Sequence, residues 1–428
     1  METTPKNWMR LDNAAKIYPA AKRRNWTALF RLSVTLTEPV EPDILRRALT
    51  RTLGRFPWFA MRIKPGMFWY YLEHNDREPI IEEDVCNPCV RMRFKENNGF
   101  SFRVRYYENR IAVEIFHTLA DGTGGLCFMK TLAAEYLSIK YGVTIPRDDE
   151  ILDCDLPPDP EHYEDGFEHH AGSTTLSRSE SDSYRIRGTK EEDAFINIIT
   201  GIIPAEDLLS RAKAKNATIT EYITAALIFA IDRIQRRNKP YSNNLKPVKI
   251  CVPVNLRRFF PSRTLRNFSS YVNPGIEPKY GIYSFDEILS VVQHRMGLEI
   301  TQKTLLAKFS TNMKVERNPV LRVVPLFMKN AAMKAVFLMT GDRLTSTCFS
   351  NLGVQRLPPE MAQYVKRLDF ILGPLAVNPV ACAGGTYDGM FYINFTRTIR
   401  EPEVEREFFR FLVKQGIRVK VESNAPLE

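Results

Sequence analysis

Residues Glu114–Gly125 read EIFHTLADGTGG, and the rest of the chain is understood outward from this stretch. Ile111, Val113, Ile115 and His117 share strand parity, so the histidine projects to the face that its apolar neighbours bury. A histidine in a partly dry site, near its reference pKa of ~6.5, can take and return a proton at neutral pH. Four residues later Asp121 stands at the mouth of a helical pattern, where unpaired amides and the helix dipole favour a carboxylate. Gly122, Gly124 and Gly125 let the backbone turn sharply from strand into helix. The plainer alternative is a satisfied core histidine followed by an ordinary N-cap.

The flanks fit a strand-to-helix junction. Upstream, SFRVRYYENRIAVEIFH forms two alternating runs about a polar Glu108–Asn109 turn, which predicts a hairpin. Downstream, Leu126, Met129, Leu132, Ala133, Tyr136 and Leu137 make one helical stripe that Gly142 closes. Earlier, EPDILRRALTRTLGRF places Pro42 in a first helical turn and Gly54 at the stop, and MFWYYLEH reads as an aromatic strand.

A chain of 428 residues exceeds one ordinary core, so two subdomains are expected. We place the first half at 1–160, a polar crossover at 161–192 and the second half at 193–428. The crossover region is proline-bearing and aperiodic, and its His162, His169 and His170 lie among acids without a rigid element to fix a metal site, so a solvated linker is expected. The second half carries capping boxes at Thr218–Glu221 and Ser284–Glu287 and a buried strand candidate, VKICVPVNL. A hairpin on Asp388–Gly389 follows, then a helix with Pro402 at its start and Gly416 at its stop. Strands and helices mix in both halves, which predicts an α/β protein with mixed sheets around a shared cleft.

Composition excludes several classes. The hydrophobic fraction of 44% and charged fraction of 26% are those of a globular protein. A net charge of +10 is modest for this length; it could favour anionic small molecules or an acidic partner, whereas a nucleic-acid role would need a concentrated basic patch. No stretch reaches the ~18 apolar residues of a membrane span, and the start of the sequence lacks a signal-peptide core. Seven scattered cysteines read as reduced thiols, which points to the cytoplasm; Cys86 and Cys89 form a CxxC with no second ligand pair, so no metal is expected.

The HTLADG segment resembles the HxxxDG signature of the chloramphenicol acetyltransferase-like acyltransferase superfamily. VPVNLRRFFPSRTLRNF is similar to the region where that family pairs an arginine with the motif aspartate, which would match Arg257 to Asp121 and put Asn267 in the segment that follows. TCFSNLG is similar to a late Ser-Asn-x-Gly strand, bringing in Ser350 and Asn351. The plant-type DFGWG signature is absent, and Phe116 replaces the first of the paired histidines of condensation domains. The resemblance is therefore greatest to stand-alone alcohol acetyltransferases.

That resemblance implies two related subdomains in a pseudo-dimer with a tunnel between them. It implies direct acyl transfer from a coenzyme A thioester, a co-substrate rather than a bound cofactor, to a small alcohol or amine. His117 would be the base; Asp121, Gly122 and Arg257 would support the site; Ser350, Asn351 or Asn267 would line the tunnel or bind the oxyanion. The expected protein is a monomer that uses no nucleic acid. The alternatives are an acyl carrier protein as donor, or an inactive interaction module of the same fold.

Overall fold

The hairpin before His117 forms the middle of the first half's sheet. The computed structural model describes residues 8–21, 26–174, 176, 180–192, 195–240, 244–340 and 342–425. Residues 1–7, part of the start read above as lacking a signal-peptide core, lie outside them, as do 175 and 177–179 of the crossover.

The first half runs β1 Trp8–Arg10, α1 Ile17–Ala21, β2 Leu29–Leu36, α2 Pro42–Arg55, β3 Met61–Pro65, β4 Tyr70–His74 and β5 Ile81–Glu83. It continues with β6 Phe102–Tyr107, β7 Arg110–Phe116 and α3 Gly122–Tyr141, and the short α4 Gly166–His170 falls in the segment between the halves. The second half begins β8 Asn197–Pro204, α5 Ala205–Lys213, α6 Ile219–Asn238, β9 Val248–Asn255, β10 Ser269–Val272 and β11 Gly275–Ile276. Helices α7 Phe285–Glu299, α8 Gln302–Arg317, α9 Pro319–Val323 and α10 Leu326–Thr340 come next. The chain closes with β12 Thr347–Val354, α11 Pro359–Ala362, β13 Val365–Leu372, β14 Val380–Tyr387, β15 Met390–Arg397, α12 Glu403–Lys414 and β16 Lys420–Ser423.

Local chemistry accounts for most element ends. Asp121 accepts from the Gly124 amide and Gly142 adopts a left-handed φ of 67°, so α3 is capped at both ends. Both predicted capping boxes form reciprocally at α6 and α7. The Asp388–Gly389 turn carries positive φ at both residues, the conformation that joins two strands tightly.

Three sheets result among the described residues, a small one being β1–β4–β3. The first half's larger sheet is ordered β13–β2–β7–β6–β5, and the second half's β10–β9–β12–β14–β15–β8–β16, with β11 also on β9. Strand β13 comes from the second half of the sequence yet pairs antiparallel with β2 from Leu36 to Phe30. Period-2 alternation lets the second sheet serve two cores. Cys382, Phe391, Ile393 and Phe395 face its own core with Ile223, Leu227 and Phe408, whereas Ala383, Tyr387 and Tyr392 join the first half's core. Thr396 donates to Leu372 O at 2.8 Å and the Asn394 amide to Phe370 O at 3.0 Å, fastening β15 to β13.

The segment after α3 is more ordered than its composition suggests. Phe167 of α4 is buried in the second core, edge-on to Phe268 and Phe309. His162 is 2% exposed, against the expectation of a solvated linker, because Leu265 N donates to its carbonyl and ties this segment to the 264–268 loop. One aromatic anchor and backbone bonds to a neighbouring loop order a segment that has no periodic apolar face of its own.

Candidate active site

Strand β7 delivers His117 just past its last paired residue, and the His117 amide donates to Ala28 O at 2.9 Å. The half-buried imidazole stacks on Tyr18 of α1, with centroids 4.7 Å apart and planes at 18°, and meets the Phe30 ring edge-on at 5.2 Å. Two aromatic walls hold the ring plane. Burial pushes the His117 pKa below its ordinary value, against opposing pulls from Asn267, the Asp121 charge and its own carbonyl, so the ring is neutral at pH 7.

A hydrogen-bond chain decides which nitrogen carries the proton. The Asn267 amide nitrogen donates to Asp12 Oδ2 at 3.1 Å, which turns its oxygen toward the imidazole. That oxygen lies 2.9 Å from His117 Nδ1 and can only accept, so Nδ1 is the protonated nitrogen and Nε2 keeps its lone pair. Asp12 is fully buried; its Oδ1 accepts from Ala15 N at 2.7 Å and the Arg266 guanidinium lies 3.5 Å from Oδ2. Burial raises the Asp12 pKa, with Arg266 the chief opposing influence.

Asp121 points away from the imidazole. Its Oδ1 accepts from Gly124 N at 3.0 Å, and its Oδ2 accepts from Arg257 Nη1 at 2.8 Å and Phe268 N at 2.9 Å. Arg257 in turn donates to Thr264 O at 2.7 Å, Arg266 O at 2.6 Å and Asn255 Oδ1 at 3.2 Å. The pair thus staples the 255–268 loop to the start of α3. Because Phe268 is bonded to Asp121, its neighbour Asn267 is delivered to His117. Gly124 is required here, since an added Cβ would lie 1.8 Å from Leu265 O. At Gly122 a Cβ would meet Leu352 at 3.0 Å.

Of the other residues singled out in the sequence, Asn351 is engaged elsewhere: its oxygen accepts from Gly353 N at 2.9 Å and its amide donates to Thr220 at 3.1 Å. Ser350 is half-buried on β12, between β9 and β14. Arg266 is buried, with bonds to Arg10 O and Tyr163 O, and Arg263 pairs with Asp149 and Asp159. Sequence reasoning missed Asp12, Tyr18 and Phe30. RLDNAAK carries no motif, and its Asp12 reaches Asn267 only through a fold that joins positions 255 residues apart. No group of three or more potential ligands able to hold a metal occurs among the described residues.

The described helices include none long and apolar enough to cross a membrane. The fold itself is that of trichothecene acetyltransferases and condensation domains, with mixed α/β halves spanning nearly the whole chain. The trichothecene 15-O-acetyltransferase TRI3 of Fusarium sporotrichioides superposes with a TM-score of 0.61 at 13% identity, covering 95% of this chain and 94% of that one. F. graminearum TRI101, solved with coenzyme A and deoxynivalenol, gives 0.61 at 11% identity and covers 96% and 99%. The first condensation domain of the CDA synthetase gives 0.57 at 13% identity and covers 96% of each chain. No protein-family model matches the sequence, and a search of curated proteins finds no relative.

Proposed function

We propose that this protein is an acyltransferase that moves an acyl group, acetyl in the simplest case, from a coenzyme A thioester to a hydroxyl or amine acceptor. The observation that carries the reading is the Asp12–Asn267–His117 chain, which leaves Nε2 as the basic nitrogen of a neutral imidazole. Nε2 removes the acceptor's proton as its oxygen or nitrogen bonds to the thioester carbonyl carbon. When the tetrahedral adduct collapses, the C–S bond breaks and the same proton passes to the leaving thiolate. A placed base of this kind is worth ~10²–10⁴-fold; alignment and oxyanion stabilisation supply the remainder. We assign the oxyanion contact to Ser350, because the side chain of Asn351 is already bonded. Asp121 and Arg257 are positioning residues that hold Asn267 against the base.

The neighbouring fold of condensation domains favours one second reading, an acyl carrier protein in place of coenzyme A as donor. Thiol release from acetyl-CoA, followed with a panel of alcohols and amines, separates the two. Wild type should release thiol only when an acceptor is present, and His117→Ala should lose ~10²–10⁴-fold of that rate. Full activity in His117→Ala would exclude the base assignment, and turnover with acylated carrier alone would establish the second reading.

A further inference from the structure

A surface formed by residues outside the acyl-transfer chemistry has its own character. The backbone amide of Leu326 at the start of α10 donates to Met67 O at 2.9 Å, so α10 meets the β3–β4 turn. Buried Lys329 locks the junction, donating to Phe68 O at 3.0 Å and Arg322 O at 3.1 Å while lying 3.7 Å over the Trp69 ring. The apolar side chains around this lock face water. Met67 is 75% exposed, Phe327 74% and Val323 65%, with Met328 and Phe68 also exposed. Folding does not bury them, and five large exposed apolar side chains gathered at one junction of a turn and two helices mark an interaction surface.

The charge around the patch names its partner. Residues 302–340 contain seven lysines and arginines against one acid, Glu316, which is already paired with Lys16. Arg322, next to Val323 in the chain, and Lys334, two turns along α10 from Phe327, are exposed, as are Lys314 and Arg317 at the end of α8. The apolar residues lie on the β3–β4 turn, at the end of α9 and at the start of α10. Two such basic faces repel each other, which disfavours a second copy as the partner. Projecting Phe, Met and Val side chains within a cationic rim suit the boundary of an anionic lipid bilayer, where apolar groups enter the acyl region and basic groups meet the headgroups.

We propose that the β3–β4 turn and the α9–α10 segment form a peripheral docking surface for an anionic membrane. Helix α10 packs on α1, whose Tyr18 stacks on His117, so docking would bring a lipid surface near the candidate site.

Co-sedimentation of the full chain with vesicles tests this. Wild type should pellet with phosphatidylcholine vesicles containing phosphatidylserine and far less with phosphatidylcholine alone. Met67→Glu/Phe327→Glu should weaken binding by about 10²-fold or more, since two apolar anchors are withdrawn. Arg322→Gln/Lys334→Gln should weaken it about 25-fold, roughly fivefold per basic side chain, and added salt should act in the same direction. The substituted side chains are exposed, and unchanged circular dichroism checks that the fold persists. Absence of wild-type binding to the phosphatidylserine vesicles overturns the proposal, as does equal binding by Met67→Glu/Phe327→Glu. Concentration-dependent dimerisation abolished by the same pair, without vesicle binding, would overturn it in favour of a second copy. Sedimentation needs no turnover, so its failure leaves the acyl-transfer reading untouched.

Discussion

The junction at 114–125 and the segment at 159–170 each place histidine close to carboxylates, and the second is the richer in both. Burial lowers the pKa of His117 and of His162 alike. Their surroundings differ in kind. His117 has Nδ1 bonded to an oriented amide and its ring held by Tyr18 and Phe30. His162 has no bond to Nδ1 among the described residues, and Asp159 lies 3.8 Å from Nε2 while its own carboxylate caps the turn at Glu161 N. His169 pairs with Glu164, and His170 bonds Pro261 O, so the three histidines point to different partners. Burial shifts a pKa; a fixed tautomer and a fixed ring plane are what make a base.

The sharpest way to break this comparison is to substitute both histidines. We expect His117→Ala to lose ~10²–10⁴-fold in acyl-transfer rate, with His162→Gln retaining wild-type turnover below its melting temperature. Equal losses in the two would show that burial, shared by both, and not the Asn267 chain, is what makes the base.

Next in size is the staple behind the base. Asp121 and Arg257 are both largely buried, and removing one partner leaves the other charge uncompensated. Arg257→Ala or Asp121→Asn should therefore cost about 3–5 kcal/mol of stability, measured by denaturant unfolding. Wild-type stability in both variants would contradict the pair's positioning role.

Asn267→Ala addresses the chain without removing a charge. Losing the bond at Nδ1 frees the imidazole to rotate and change tautomer, and we expect a fall in kcat approaching ~10²-fold, the scale of a misplacement of about 1 Å. KM should change little, since the side chain of Asn267 bonds Asp12 and the base.

The smallest effect lies in the pH profile. Because the His117 pKa is lowered, its neutral form predominates above that value, and kcat/KM should be level at pH 7 and fall as pH drops through a point below 6.5. Asn267 and Asp12 both favour the protonated ring, so Asn267→Ala or Asp12→Asn should move this acid limb to still lower pH. Movement toward higher pH would show that another group titrates.

Much of this architecture was legible in the sequence because the signals are local. Thr218 and Glu221, Ser284 and Glu287, Asp121 and Gly124, and the Asp388–Gly389 turn act over one to four residues, a distance at which backbone geometry leaves few alternatives. The pairing of Asp121 with Arg257 was approached through family resemblance, not through spacing. Helices α8 to α10 had no such announcement: their basic, apolar sequence lacks a clear single stripe, and which residues stay in water depends on the β3–β4 turn that α10 meets.

By itself the sequence determined that the chain builds mixed α/β halves and that one histidine sits at a strand-to-helix junction followed by a capping aspartate. Only the tertiary structure decided what that histidine's proton does. Asp12, Asn267 and His117 come from three stretches that no local rule connects, their two bonds spanning 255 and 150 residues. They meet because Arg257 and Phe268 N both bond the same carboxylate of Asp121, which holds the loop carrying Asn267. Long-range bonds depend on how whole sheets pack, and that packing is set by the summed burial of two cores, not by any one stretch of chain.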